Sequence, residues 1–244
     1  MNELRLFPIK RTIHMTITNN QLNQFQNEGY VICEKFFNED LMISLKKELD
    51  RMLDNGHARN VSTDGDGKTS SNKKVNIQIC PLSPISKIFA DVSKRKDVLN
   101  AVHTLLGENT ELHLDQVFLK PANHGTGTNW HQDNAYFKIK DVSKGTGMWI
   151  ALDDANKENG TMEIVPSSHL QSHEHIRDMH SDHHITCEGD DSKSIAMEVK
   201  RGGCVFFNYG IIHCTKENKT NAARAGLALH FVDKNYRVKD DGFL

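Results

Sequence analysis

From about Glu111 the chain breaks into short runs rich in β-branched and aromatic residues, separated by Gly-, Asn- and Asp-rich turns. That texture constrains the fold more than any other feature. The runs are "ELHLDQVFLKP", "TGMWIALDD", "TMEIVP", "SIAMEV", "GCVFFNYGIIHC" and "RAGLALHFVD". Several short strands with turn signals between them predict a β-sandwich or barrel.

The preceding third reads as mostly helical support. Thr18 is placed to cap a helix carrying Leu22 and Phe25, which Gly29 ends, and the segment from Tyr30 to Phe37 is rich in strand formers. Asn38 opens a second amphipathic helix with Leu41, Leu45, Leu49 and Leu53 as its apolar stripe and Gly56 as its stop. "SPISKIFADVSKRKDVLNAVHTLLG" is a third helical region, closing at Gly107. Residues 56–76 have no hydrophobic period, and a loop of that length is uncommon in a compact domain unless functional or disordered, so it reads as a lid. At 244 residues the expectation is a single α+β domain, with 1–110 as mostly helical support and 111–235 as a β core.

Composition narrows the function classes. Thirty Lys and Arg stand against 32 Asp and Glu, so no global charge draws the chain to nucleic acid or a membrane surface. Five scattered cysteines without a CxxC pair argue for free thiols in a reducing compartment. The first residues lack a long apolar segment, which makes a cytoplasmic protein the default. Monomer and homodimer are both compatible with the sequence.

The stretch "TNWHQDNAYF", residues 128–137, places His131 and Asp133 two residues apart. In a strand such positions share a face, and the pair could serve as a surface ion pair, a structural hydrogen bond or two-thirds of a metal site. His213, at the end of a strongly β-like run, and Arg224, at the start of the next one, complete a pattern. Two His and one carboxylate hold Fe(II) on one side and leave positions open for cosubstrate and oxygen. An Arg nearby can grip a dicarboxylate bidentately. HxD alone is a weak signal; in this company it is a specific one.

With these residues in place the chain resembles the phytanoyl-CoA dioxygenase family of Fe(II)/2-oxoglutarate-dependent oxygenases. The resemblance runs from about Thr18 to Val232, through "EGYVICEKFF", "LKPANHGTGTNWHQDNAYF", "MWIALDDANKENGTMEIVPSSHL" and "GIIHCTKENKTNAARAGLALHFV". It implies a double-stranded β-helix, or jelly roll, with His131, Asp133 and His213 as iron ligands. It also implies that Arg224 and the Thr215 hydroxyl hold the distal carboxylate of 2-oxoglutarate, and that Trp149 lines the cosubstrate pocket. Gln116, on the inward parity of its strand with Phe118 and Lys120, is a further cosubstrate candidate.

The implied reaction uses Fe(II), 2-oxoglutarate and O2 to hydroxylate a small organic molecule, releasing succinate and CO2. The same site serves desaturation, demethylation or cyclisation in similar proteins. Asp133 favours hydroxylation over halogenation, because related halogenases replace this carboxylate with a small residue. A catalytically silent jelly-roll binding or sensing module is the alternative from another class, and the intact His131, Asp133, His213 and Arg224 speak against it.

Of 14 histidines, His169, His173, His175, His180, His183 and His184 crowd into one run with no regular ligand spacing. In folds of this kind that segment borders the mouth of the active site. His173 and His175 are therefore candidates for touching a polar or anionic substrate group, and Tyr136 and Phe137 for lining its pocket.

Overall fold

Ten consecutive residues, Arg224–Asp233, form β13, the strand about which the rest of the molecule is arranged. The sequence "RAGLALHFVD" alternates, and both of its faces are buried. In the computed structural model, which describes residues 16–177 and 185–238, β13 pairs antiparallel with β4 (Thr110–Lys120) on one side and β6 (Gly145–Ala151) on the other. Outward from β6 lie β11 (Cys204–Asn208) and β1 (Tyr30–Cys33). Outward from β4 lie β3 (Ile77–Ile79) and β2 (Arg59–Asn60), which completes a seven-stranded sheet. A second sheet of four strands has the order β10 (Ile195–Ala196), β7 (Met162–Ile164), β12 (His213–Thr215) and β5 (Thr128–His131). A separate hairpin joins β8 (His175–Arg177) to β9 (Ile185–Cys187). The fold is a mainly β, antiparallel double-stranded β-helix whose two sheets are not closed on each other.

The period-2 pattern of β13 divides the core. Ala225, Leu227, Leu229 and Phe231 share one buried cluster with Leu45 and Leu49 of α2 (Glu39–Asp54), Phe89 of α3 (Lys87–Ser93) and Val102 of α4 (Lys96–Leu106). Ala228, on the other parity, joins Trp149, Val205, Phe207, Met162 and Ile164 in a second cluster between the sheets. The helices thus cover one face of the large sheet, and the other face is left for the site.

The N-terminal helices follow their signals. Thr18 caps α1 (Asn19–Glu28) in a capping box with Gln21, and Gly29 closes it in the left-handed conformation at φ 86°. In α2, capped by Asn38, the most deeply buried line is Met42, Leu45, Leu49 and Met52, with Leu41 and Leu53 flanking it, so the stripe keeps the two central leucines and takes methionines in place of the outer two. The expected third helical region is two helices, broken at Lys94 and Arg95. The strand expected over Tyr30 to Phe37 ends at Cys33, before Lys35 turns through φ 53°.

The first 110 residues also supply β1, β2 and β3 to the large sheet, and residues 56–76 are where β2 comes from. Asn60 ties that excursion together: its Nδ2 donates to the Ser71 and Lys74 carbonyls, and its Oδ1 accepts from the Ser62 and Asn76 amides. A polar side chain here does what a hydrophobic period would do elsewhere, which is why the segment reads as a loop.

The run "GCVFFNYGIIHC" is not one strand. It leaves the large sheet after Asn208, turns where the Gly210 amide donates to Asn208 Oδ1 (2.7 Å), and re-enters the small sheet as β12. That corner delivers His213 to the space between the sheets.

Candidate active site

His131 and His213 are direct partners in the antiparallel register of β5 and β12, and their rings lie 4.2 Å apart. Asp133 reaches them differently from the same-face pair that the spacing suggests. β5 ends at His131, and Asp133 has helical backbone angles (φ −57°, ψ −33°) at the head of the short turn α5 (Asn134–Phe137). The chain therefore bends at Gln132, and Asp133 Oδ1 comes to 3.7 Å from His131 Nε2 and 3.6 Å from His213 Nε2. One donor atom from each residue lies within 4.8 Å of the others, and all three side chains are buried.

Both imidazoles are oriented through their far nitrogens. His131 Nδ1 meets the Asn129 carbonyl at 2.8 Å, and His213 Nδ1 meets the Ile211 carbonyl at 3.1 Å. A carbonyl only accepts, so each Nδ1 carries the proton and each Nε2 presents a lone pair to the cluster, as metal-binding histidines do. Burial by itself would raise the Asp133 carboxyl, but the positive charge that His213, His230 and His131 carry when protonated outweighs that and holds it well below the usual carboxylate range. The Asp133 side chain is thus an anion ready to meet a cation.

A cavity of about 340 Å³ opens over this cluster. At one end are two buried basic side chains, Lys120 and Arg224, each 1% exposed and paired in register across β4 and β13. Both turn to a single neutral atom, the Gly160 carbonyl: Lys120 Nζ donates to it at 3.2 Å, and Arg224 Nη2 donates to it as well. Lys120 also donates to the Lys216 carbonyl. Neither side chain has an ion-pair partner among the described residues; Asp153, the acid whose charge Arg224 feels, is taken by Lys46 at 3.0 Å. Burial, reinforced by Arg224, pushes the Lys120 amine down to about 6, and burial pushes Arg224 down to about 10. A buried guanidinium with no acid paired to it is costly, and an anion beside it would both offset that cost and restore the proton that burial loosens on Lys120.

The surrounding residues fit a carboxylate at that end. Arg224 Nε, a donor buried without a hydrogen-bond partner among the described residues, lines the cavity and can meet one; Asn76 also lines the cavity, but its buried Oδ1 is an acceptor and suits a donor instead. Thr215 also lines it, with its hydroxyl 3.1 Å from that of Thr128. The Trp149 ring stands under Arg224, 5.5 Å from the guanidinium carbon. Its place depends on Gly226, where a Cβ would come within 2.4 Å of the indole.

Among the other predicted residues, Tyr136, Phe137 and Gln116 also line the cavity. Tyr136 is edge-on to His131 at 5.8 Å and donates its hydroxyl to the Ile185 carbonyl, and burial raises its phenol. Phe137 packs against His230 (5.1 Å) and Tyr209 (4.8 Å). His173 and His175 are not in the cavity wall. His173 Nε2 meets the Ser168 carbonyl, and His175 Nε2 accepts from the Gln132 amide at 3.3 Å, which braces the bend between His131 and Asp133. His180, His183 and His184 lie outside the described residues.

The family model for phytanoyl-CoA dioxygenase (PhyH) matches residues 25–226. The chain belongs to the phytanoyl-CoA dioxygenase family. It is accordingly a non-haem Fe(II)/2-oxoglutarate-dependent dioxygenase that takes Fe(II), 2-oxoglutarate and O2. Within the family it is 24% identical to the phytanoyl-CoA dioxygenase of Arabidopsis thaliana, over 90% of each chain. It is 21% identical to the ectoine dioxygenase of Bordetella bronchiseptica, covering 85% of this chain and 72% of that protein. The same fold is found in the epimerase SnoN from nogalamycin biosynthesis, solved with Fe3+, α-ketoglutarate and nogalamycin RO (TM-score 0.75, 18% identity, 90% and 85% of the two chains). It is found again in EctD from S. alaskensis, solved with 2-oxoglutarate and 5-hydroxyectoine (TM-score 0.71, 20% identity, 91% and 78%). Against the family's requirement for a metal and a dianionic cosubstrate, the donor set and the two basic side chains fit both.

Lys120, Asn76 and His230 escaped the sequence reading. Lys120 and His230 were within reach of it: Lys120 shares the parity of Gln116 on β4, and His230 shares the parity of Arg224 on β13. Asn76 had no such signal, because it lies at the end of the stretch that reads as loop, just before β3 begins at Ile77.

Proposed function

We propose that the chain hydroxylates a small organic molecule at a metal held by His131, Asp133 and His213, with 2-oxoglutarate seated against Arg224, Lys120 and Thr215. The observation that carries this reading is the pairing of three inward-facing donors with two buried basic side chains that have no ion-pair partner among the described residues, all in one cavity. Fe(II), bound together with 2-oxoglutarate and O2, supplies an oxidising centre that releases succinate and CO2 and oxidises a C–H bond of the substrate.

The protein's own contribution follows from its residues. Two neutral imidazoles and one carboxylate leave a divalent ion with net positive charge, which favours an anionic chelator. Arg224 and Lys120 neutralise the far carboxylate of that chelator, and the fork of Arg224 sets its direction. Trp149, Phe207 and Met162 close the cavity wall with apolar surface and keep water from the reacting centre. Tyr136 and Phe137 enclose the remaining space over His131 and Asp133, where a substrate C–H would sit.

A cavity of about 340 Å³ is at the small end for ligand sites, which favours a small molecule over a bulky one. Ectoine, named for two of the similar proteins, illustrates that size class and is not carried over as the substrate. The test is succinate release from 2-oxoglutarate by the Fe(II)-loaded protein across a panel of small molecules. Substrate-dependent release, with the product heavier by one oxygen atom, supports hydroxylation. A product lighter by two hydrogens would shift the reading to desaturation or cyclisation.

A further inference from the structure

The oxygen of Asp133 that faces away from the histidine pair has a partner of its own. Asp133 Oδ2 lies 3.4 Å from Nδ1 of His230, a ring only 3% exposed, and neither atom has a hydrogen bond to any other group among the described residues. The two carboxylate oxygens therefore have separate roles, Oδ1 toward the metal cluster and Oδ2 toward His230. Phe137 at 5.1 Å and Tyr209 at 6.0 Å hold the His230 ring in place.

Which nitrogen of His230 carries the proton is set from the far end of a chain of side chains. Arg59, exposed on β2, has only donors to offer, and its Nε and Nη2 both point at Gln78 Oε1 (3.0 and 2.7 Å). An amide that gives its oxygen to an Arg has its NH2 on the other side. Gln78 Nε2 accordingly donates to Gln116 Oε1 at 2.8 Å. The same logic turns Gln116 Nε2 toward His230 Nε2 at 3.3 Å. A ring nitrogen that accepts is unprotonated, so the neutral ring keeps its proton on Nδ1, facing Asp133. Reversing any link would set NH2 against NH2, or the Arg59 guanidinium against an amide NH2.

Resting on the reading of His131, Asp133 and His213 as metal ligands, we propose that His230 is a positioning residue for the metal-binding carboxylate. Gln116, Gln78 and Arg59 fix its tautomer. His230 holds Oδ2 away from the metal, so that Asp133 ligates through one oxygen and the open coordination positions stay open. Gln116 then serves the metal side of the site through His230, with both ends of its amide engaged, and is not a contact of the cosubstrate. Removal of a hydrogen-bond partner of a metal ligand typically lowers metal affinity about 10–100-fold.

The test is anaerobic titration of the full-length protein with Co(II), reading the dissociation constant and the visible spectrum, with circular dichroism to confirm folding. His230→Leu is expected to bind Co(II) about 10–100-fold more weakly with an altered spectrum. His230→Asn, whose Nδ2 stands where Nδ1 stood, restores both to within a few-fold of wild type. Gln116→Leu, which leaves the ring in place and frees its tautomer, falls between. Wild-type affinity and spectrum in His230→Leu would overturn the proposal, and so would a His230→Asn variant as weak as His230→Leu. Should His230→Leu fail to fold, an unchanged spectrum in Gln116→Leu together with a weakened His230→Asn overturns it. If the wild-type protein binds no Co(II), or His213→Ala binds it as well as wild type does, the underlying metal-site reading fails and the proposal falls with it.

Discussion

On the outer face of β13, Leu227, Leu229 and Phe231 pack into the apolar cluster shared with the helices, and the buried Asp115 opposite Leu229 on β4 is satisfied by the Leu82 and Ser83 amides. On the inner face of the same strand, Arg224 and His230 are just as deeply buried, yet among the described residues Arg224 Nε has no hydrogen-bond partner and His230 Nδ1 faces only Asp133 Oδ2, at 3.4 Å. One strand thus carries two kinds of burial. The outer side chains each contribute about 1.5–3 kcal/mol by leaving water. The inner ones hold charge and hydrogen-bonding capacity in reserve, an arrangement that lowers stability and makes sense only if something else completes it. The contrast separates residues that make the fold from residues that the fold presents.

Substitutions can break that contrast in both directions. The largest effect is expected at the cluster itself: Asp133→Ala should abolish 2-oxoglutarate turnover while the protein remains folded, as checked by succinate release and circular dichroism. Retained turnover would remove Asp133 from the site. Next, Leu227→Ala on the outer face should lower unfolding free energy by about 2–5 kcal/mol in urea titrations. Folded Leu227→Ala should still bind cosubstrate as wild type does. Arg224→Met on the inner face should show the reverse pattern, with 2-oxoglutarate affinity reduced by about 2–4 kcal/mol and stability unchanged or higher. Equal losses of stability in these two variants would erase the distinction between the faces.

A subtler effect concerns Lys120. Its amine is depressed from the ordinary 10.5 to about 6 in the folded protein without cosubstrate, chiefly by burial. Below about pH 6 the Lys is charged in both folded and unfolded chains, and the native state bears the full penalty of burying it. Between about pH 6 and 10.5 the native state binds fewer protons than the unfolded one, so this group's contribution to stability improves as pH rises. The stability deficit of wild type relative to Lys120→Met should therefore shrink over that window, and saturating 2-oxoglutarate should reduce it at neutral pH. The smallest effect is expected from Tyr136→Phe, which loses one hydrogen bond to the Ile185 carbonyl, worth about 0.5–1.5 kcal/mol. A modest rise in KM with kcat little changed would mark Tyr136 as part of the substrate's enclosure.

Much of this contrast was legible in the sequence, because alternation along a strand is a local signal. "RAGLALHFVD" announces both faces of β13, and capping residues announce α1 and α2. What escaped depends on contacts between distant residues. The bend at Gln132, which replaces the strand pairing of His131 with Asp133, is braced by His175 from another hairpin. The strand character of residues 59–60 and 77–79 depends on partners in β4 and on the Asn60 side chain, with no apolar period to betray it. The histidine-rich run drew attention by composition alone, and two of its described rings, His173 and His175, turn their ring nitrogens to backbone groups outside the cavity wall. A residue's number of imidazoles in the neighbourhood says little; which way the strand turns it says a great deal.

The most direct test of the central claim, that one cavity joins a three-residue metal site to a two-cation cosubstrate seat, is an anaerobic absorption titration of the purified protein. Adding 2-oxoglutarate to the Fe(II)-loaded chain is predicted to raise a saturable visible charge-transfer band that neither component produces alone. Arg224→Met should need far more 2-oxoglutarate to reach the same band. No band at saturating Fe(II) and 2-oxoglutarate, or a band with the same saturation point in Arg224→Met, would contradict the account.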